Sequence, residues 1–203
     1  MSQLISDDFR SLARAMAVTI EDNAQRLTDL DSAIGDGDHG ANMKRGFNAV
    51  VGELDQIAAK PLPDALKAAG MKLVVGGASG PLAGTFFMTL GKELPEDFDR
   101  AGFVAAYEKA VDAVAARGKS HTGQKTMLDV LYPMLEVLRQ GGDADAVAAR
   151  AEEAADATIQ MLATRGRASF LGERSIGHMD PGAASVALLA RAAARTLNTQ
   201  GGA

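Results

Sequence analysis

Three observations predict an all-α fold. The chain is 47% hydrophobic but only 4% aromatic, and alanine, the best helix former and small enough for close helix packing, is abundant. Between turn signals the apolar residues recur at the 3.6-residue spacing of a helix face. Runs of valine, isoleucine and threonine of strand type are nearly absent. The 203 residues suffice for one domain with a sizeable core. Neither a repeat nor a linker interrupts them, so residues 1–203 read as a single domain.

Eight helices are expected. The first covers 7–29, with Phe9, Leu12, Met16, Ile20 and Leu27 on one face and Ser6 or Asp7 as its cap. An acidic loop, 31–42, follows. The second helix shows Met43, Phe47, Val50, Val51 and Leu54 and reaches about 58. Pro61 and Pro63 break the chain. A short helix over 64–75 then meets the glycine-rich stretch 76–80. Pro81 suits the first turn of a fourth helix, running to about 91. A polar connection, 93–99, leads to a fifth over 100–117, with Phe103, Tyr107, Val111 and Val114 inward. After the loop 118–123, the sixth carries Leu128, Leu131, Leu135 and Leu138. Gly141-Gly142-Asp143 ends it and caps the seventh, which buries Val147, Ala151, Ala154, Thr158 and Leu162. A long polar loop, 166–180, precedes the eighth helix from Pro181 to about 197. The tail 198–203 is expected to fray.

In an up-down arrangement of helices, alternate connections lie at the same end. The loops 31–42, 76–80, 118–123 and 166–180 all join an odd helix to an even one. They should therefore gather at one end, and the breaks at 60–64, 93–99 and 141–142 at the other.

The richest of these loops reads Asp-Ser-Ala-Ile-Gly-Asp-Gly-Asp-His-Gly-Ala-Asn from Asp31 to Asn42. Three carboxylates, Asp31, Asp36 and Asp38, crowd the start of a helix whose amides and dipole favour anions. Unliganded, the carboxylates repel one another. Hard oxygen ligands suit Mg2+ or Ca2+, so the loop reads as a divalent-metal site that presents metal to phosphate. On composition alone it is equally a capped turn. It is no EF-hand: counting from Asp36, the twelfth position is Phe47, where that loop needs glutamate.

The remaining motifs also carry two meanings each. Gly76-Gly77-Ala78-Ser79-Gly80 lets backbone approach a ligand, or simply caps one helix and starts the next. Arg167 and Arg174 lie in a glycine-rich loop, suited to bidentate phosphate contact or merely solvated. Gly118-Lys119-Ser120 is not a Walker A loop, because Ala113 stands where the first glycine belongs. His39, among three aspartates, suits hydrogen bonding better than attack on phosphorus.

The formal charge is −5 and no basic run occurs, which excludes nucleic acid and anionic membranes as expected partners. Cysteine is absent, so there is neither a disulfide framework nor thiolate chemistry. With no signal core and no stretch of transmembrane length, the cytoplasm is the expected compartment.

Three motifs in order, Asp31-x4-Asp36-Gly37-Asp38-His39-Gly40-x-Asn42, Gly76-Gly77-Ala78-Ser79-Gly80-Pro81-x2-Gly84-Thr85, and Gly166-Arg167-Ala168-Ser169 through Asp180-Pro181-Gly182, resemble the L subunit, the nucleotide-binding subunit, of dihydroxyacetone kinase. The resemblance covers almost the whole chain. It implies a closed barrel of eight antiparallel helices with the nucleotide, ADP or ATP, at one end. It implies that Asp31, Asp36 and Asp38 bind two Mg2+. By position, His39, Gly40, Ala41 and Asn42, with Ala78 and Ser79, should line the phosphates. Gly118, Met127, Arg167 and Asp180-Pro181-Gly182 should contact the rest of the nucleotide. Arg167 is the residue expected to stabilise developing charge.

The implied substrate is a short ketose, dihydroxyacetone, held on a separate K subunit. In one branch of the family ATP is the donor. In the other, ADP stays bound and is rephosphorylated by a phosphotransferase-system M subunit. Interior positions reading Leu, Val, Met and Ala would not hold a hydroxylated substrate, so the acceptor is expected on a partner docking over the 166–180 loop. A regulatory nucleotide-binding module without turnover is the competing class.

Overall fold

The computed structural model describes residues 2–74 and 80–200. Ala78 and Ser79 lie outside the described residues. Ten α-helices are present among those described: α1 (Ser2–Asp22), α2 (Ala24–Ile34), α3 (His39–Gly52), α4 (Leu54–Ala58), α5 (Leu62–Val74), α6 (Gly80–Glu93), α7 (Arg100–Gly118), α8 (Leu128–Arg139), α9 (Ala144–Ala157) and α10 (Pro181–Gln200). Short 3-10 stretches occupy Thr158–Gln160 and Arg167–Ser175. None of the described helices is long and apolar enough to cross a membrane.

The count exceeds the expected eight because two helices are broken. Asn23 (φ −106°, ψ 7°) separates α1 from α2, and its side-chain amide donates to the Thr19 carbonyl at 2.9 Å, sharing that acceptor with its own backbone amide at 3.2 Å. Glu53 (φ −119°, ψ 18°) separates α3 from α4, directly after Gly52. Boundaries also differ. α1 starts at Ser2, upstream of the expected cap at Ser6 or Asp7. α9 stops at Ala157, so Leu162 is not buried with that helix but 42% exposed. α10 runs to Gln200, beyond the expected fraying point, where Asn198 donates to Asp145 Oδ2 at 2.7 Å.

Packing follows the chain in a circuit. α5 lies on α6, α6 on α7, α7 on α8, α8 on α9 and α9 on α10; α10 then returns to α1, which packs on α3, and α3 on α5. Where α5 meets α6 the backbones nearly touch: a Cβ on Gly70 would stand 2.7 Å from the Met88 nitrogen, and one on Gly84 2.7 Å from the Gly70 carbonyl oxygen. Only glycine permits that approach.

The apolar faces bury two adjoining cores. One is built around Ala110, Val111, Val114, Leu128 and Leu135, the other around Ile20, Leu27, Phe47, Leu54 and Ile57. They leave an interior cavity of about 770 Å3, lined by side chains such as Phe9, Leu12, Phe87, Leu131 and Leu189. The lining runs from Asp31 and Asp38 to Phe98, in the connection between α6 and α7.

Candidate functional site

The acidic motif is folded differently from a simple loop. Asp31 sits in the last turn of α2, and only residues 35–38 separate α2 from α3. Asp31 Oδ2 accepts from the amides of Asp38 and His39, at 2.9 and 3.1 Å. One helix thus caps the next, which leaves the Asp36 and Asp38 side chains to face other partners. The two helices cross closely enough that a Cβ on Gly40 would lie 1.9 Å from the Ala24 carbonyl oxygen. The result is a tight corner in which ligand atoms of Asp31, Asp36 and Asp38 all lie within 4.8 Å of one another. Asp31 is buried, Asp38 half-buried and Asp36 exposed.

His39, at the first position of α3, is buried and its Nε2 lies 3.2 Å from Ser185 Oγ. The Ser185 hydroxyl donates its proton to the Gly182 carbonyl, so His39 Nε2 carries a proton and donates to Ser185. Burial pulls the imidazole pKa below its ordinary value, against the pull of Asp31 and Asp38. The ring is a neutral tether between α3 and α10. Among the described residues, one buried side-chain polar atom has no hydrogen-bond partner: Asn42 Nδ2, one turn into α3. An orphaned donor in a dry setting is costly, and a phosphate oxygen would satisfy it.

Two of the four expected loops, 31–42 and 166–180, converge here, joined by Lys125, Thr126 and Met127 just after the third; the fourth falls largely outside the described residues. Arg167 reaches the acidic corner, with Nη1 2.9 Å from Asp36 Oδ2. Asp180 caps α10 by accepting from the Ala183 amide at 2.7 Å. Burial pushes the Asp180 carboxyl up to about 7, with Asp129 and Asp31 adding to the rise and Lys125 and the Ala183 amide opposing it. Asp31, Asp36, Asp38, His39, Met127, Arg167, Asp180, Pro181 and Gly182 all line the same end of the cavity. Gly40, Ala41 and Asn42 form the first turn of α3 just behind it. Gly118, the last residue of α7, does not line the cavity; it sits beside Ser120 and Leu82.

Two residues of this end escaped the sequence reading. Lys125 is 1% exposed, with a left-handed backbone (φ 62°). Asp129 is 6% exposed; it accepts from the Thr126 amide at 2.7 Å and from the Gly123 amide. Thr126-x-x-Asp129 is the capping-box pattern, legible before the apolar run of α8. Nothing in the local pattern marks Lys125.

Residues 33–195 match the family model described as the DAK2 domain. The chain is 47% identical over 180 residues to the ADP-binding subunit DhaL of PEP-dependent dihydroxyacetone kinase 1 from Listeria innocua, covering 87% of this chain and 89% of that one. It is 46% identical to the corresponding Escherichia coli subunit, covering 80% and 83%. Among solved structures, the dihydroxyacetone kinase of C. freundii in complex with AMP-PNP and Mg2+ superposes with a TM-score of 0.75 at 25% identity, over 93% of this chain and 33% of that one.

Proposed function

The chain belongs to the DAK2 domain family, and from that membership we propose that it is the nucleotide-binding phosphotransferase subunit of a dihydroxyacetone kinase. It holds Mg-ADP or Mg-ATP at the acidic end and passes the terminal phosphoryl group to dihydroxyacetone, or a similar short ketose, carried by a partner K subunit. The observation that carries this reading is the corner of three aspartates, with ligand atoms within 4.8 Å, at the N-terminus of α3. The whole chain, 1–203, works as one cytoplasmic domain. The helical circuit serves as an eight-rod barrel in which α1–α2 and α3–α4 each count as one bent rod.

The residues present fit the nucleotide and its metal. Carboxylate oxygens are the ligands hard cations prefer, and Asp31, Asp36 and Asp38 would hold two Mg2+. When bound, the metal supplies charge neutralisation and orientation of the phosphate oxygens. Asn42 Nδ2 offers a donor that has no protein partner. By position, His39, Gly40, Ala41 and Asn42, with Ala78 and Ser79, would line the phosphates. Met127, Asp180, Pro181 and Gly182, and by position Gly118, would contact the rest of the nucleotide. Arg167 stabilises charge on the transferring group, the role an arginine commonly fills in phosphoryl transfer. His39 keeps α3 in place from its neutral, buried position.

Away from the aspartates the cavity lining is dominated by Leu, Phe, Met and Ala, and the Tyr107 hydroxyl there is taken up by the Leu131 carbonyl. A small polyol finds no set of hydrogen-bonding partners there, so the acceptor arrives on another protein. The relatives' names, PEP-dependent and ADP-binding, support ADP as a resident coenzyme over ATP as direct donor; an M subunit would then recharge it.

Mass spectrometry of nucleotide released from the purified protein tests this reading. ADP, lost on EDTA treatment, is expected. An empty protein that also shows no Mg2+-dependent nucleotide binding by calorimetry would overturn it. Nucleotide binding without any transfer to the K-bound ketose, with M and its phosphoryl donor present, would favour the regulatory module instead.

A further inference from the structure

The segment that carries Arg167 leaves the body of the protein after Met161 and rejoins it at Ser175. Both feet of this strap meet one side chain. Lys125 Nζ donates to the Met161 carbonyl at 3.1 Å and to the Ser175 carbonyl at 2.6 Å. The feet are also stitched to each other, with the Ala163 amide donating to Ser175 Oγ at 3.0 Å. A second stitch ties the strap to the turn that holds Lys125: the Thr164 amide donates to the Gln124 carbonyl at 3.3 Å. Between its feet the strap is open, with Arg165, Gly166, Arg167, Phe170, Glu173 and Arg174 all exposed. Ser175 itself is 0% exposed and Lys125 1%.

A buried lysine is expensive to keep, and a residue that only filled space there would be apolar. An ammonium offers three donors from one point; here two of them close the neck of the strap. Thr126 and Met127 follow Lys125 directly and line the cavity beside Asp180. The lysine therefore joins the strap, the turn before α8 and the start of α10.

We infer that Lys125 is a positioning residue for phosphoryl transfer: by clamping Met161 and Ser175 it fixes where Arg167 stands over the aspartate corner. This rests on the proposed function for its catalytic consequence, but the clamp itself can be read without nucleotide or partner.

The test uses the full-length protein, which contains no cysteine, so one introduced at position 125 is a unique handle. Lys125→Met keeps the length of the side chain and removes the donors. Lys125→Cys, alkylated with 2-bromoethylamine in denaturant and refolded, restores an ammonium at nearly the same reach; alkylation with iodoacetamide does not. Limited trypsin digestion follows cleavage after Arg165, Arg167 and Arg174. With both donors gone, cleavage in the strap should quicken by about tenfold while helix content holds, and the aminoethylated form should regain protection. Turnover with K, and with M where ADP is resident, should fall by about tenfold in kcat, the scale of supporting-shell losses, with KM for the ketose unchanged.

Wild-type protection and kcat in Lys125→Met would overturn the inference. So would equal behaviour of the two alkylated forms, which separates loss of the ammonium from loss of the fold. If the wild type itself binds no nucleotide, the proposed function fails, and trypsin protection alone still decides whether Lys125 clamps the strap.

Discussion

Arg167 Nη1 stands 2.9 Å from Asp36 Oδ2, and this pair joins the strap to the acidic corner. Both side chains are well exposed to solvent, so the pair contributes only ~0–1 kcal/mol to stability. Its significance is positional: the guanidinium reaches the same carboxylates that would hold metal.

Asp36→Asn should therefore weaken Mg-nucleotide binding strongly, by on the order of 100-fold, within the range seen when a hard-cation carboxylate or its support is lost. Asp97→Asn, exposed in the connection between α6 and α7, should leave binding unchanged. Calorimetry on both variants decides; equal affinities would remove the aspartate corner from the site.

Arg167→Ala separates binding from chemistry. Its charge is offered where the transferring phosphoryl group would sit, so turnover should fall by on the order of 100-fold or more. Nucleotide affinity and partner association should change by much less. The readout is triose phosphate formation in a coupled assay, compared with calorimetric Kd. A parallel loss in both quantities would mark Arg167 as a binding residue only.

Much of this site could be read before the fold was known. The aspartate corner and Arg167 were visible because turn-forming and charged residues break an otherwise regular helical period, and counting alternate loops brought them together; Asp180-Pro181-Gly182 came only with the family resemblance. The breaks at Asn23 and Glu53 were not visible, since each adds a single non-helical residue without interrupting the apolar spacing. Leu162 misled because its spacing continues α9, while the backbone turns away after Thr158. Lys125 was hidden for a different reason. Its clamp is made to backbone carbonyls distant in sequence, and no residue pattern announces a carbonyl. The interior cavity was hidden likewise, since side-chain volume on one helix does not tell how far away the facing helices stand.

Removing metal and nucleotide should lower the melting temperature. Asp31 and Asp180 share one end of the cavity with Asp36 and Asp38, and like charges held together disfavour the folded state. A ligand at about 100 times its Kd adds roughly 2.7 kcal/mol. At ~2–4 °C per kcal/mol for a chain of this size, EDTA and nucleotide removal should lower Tm by about 5–10 °C. An unchanged melting curve by calorimetry would contradict this.

The raised pKa of Asp180, about 7, has a definite sign. Between its ordinary value and about 7 the folded state binds more protons than the unfolded state, so stability falls as pH rises through that window. The substitution Asp180→Asn removes the titrating group but keeps an oxygen to accept from the Ala183 amide. It should thus stabilise the EDTA-treated protein by several degrees at about pH 8, and much less at about pH 5. His39 contributes the opposite slope, losing stability as pH falls below its ordinary value, but it does so in both variants. A difference in Tm that is the same at both pH values would show that the carboxyl is not the group responsible.

The last prediction concerns the partner. Phe170 is 88% exposed, near the middle of a strap that also exposes Arg165, Arg167 and Arg174. An exposed aromatic on a segment rich in arginine is the composition of a binding hot spot, and the apolar cavity offers no place for a ketose. The purified chain should therefore form no dihydroxyacetone phosphate with ATP alone. Activity should appear when K is added, with M and its phosphoryl donor also required if ADP is resident. Phe170→Ala should raise the Kd for K by about tenfold or more, on the scale of a lost aromatic anchor, while leaving Mg-nucleotide affinity and Tm unchanged, since Phe170 packs against little of its own protein. Phe98, 36% exposed in the connection between α6 and α7, supplies the control: Phe98→Ala should leave K affinity as it is. Surface plasmon resonance against immobilised K measures both. Full turnover by the chain alone would reveal a substrate site within it, and unchanged K affinity in Phe170→Ala would move the docking surface off the strap.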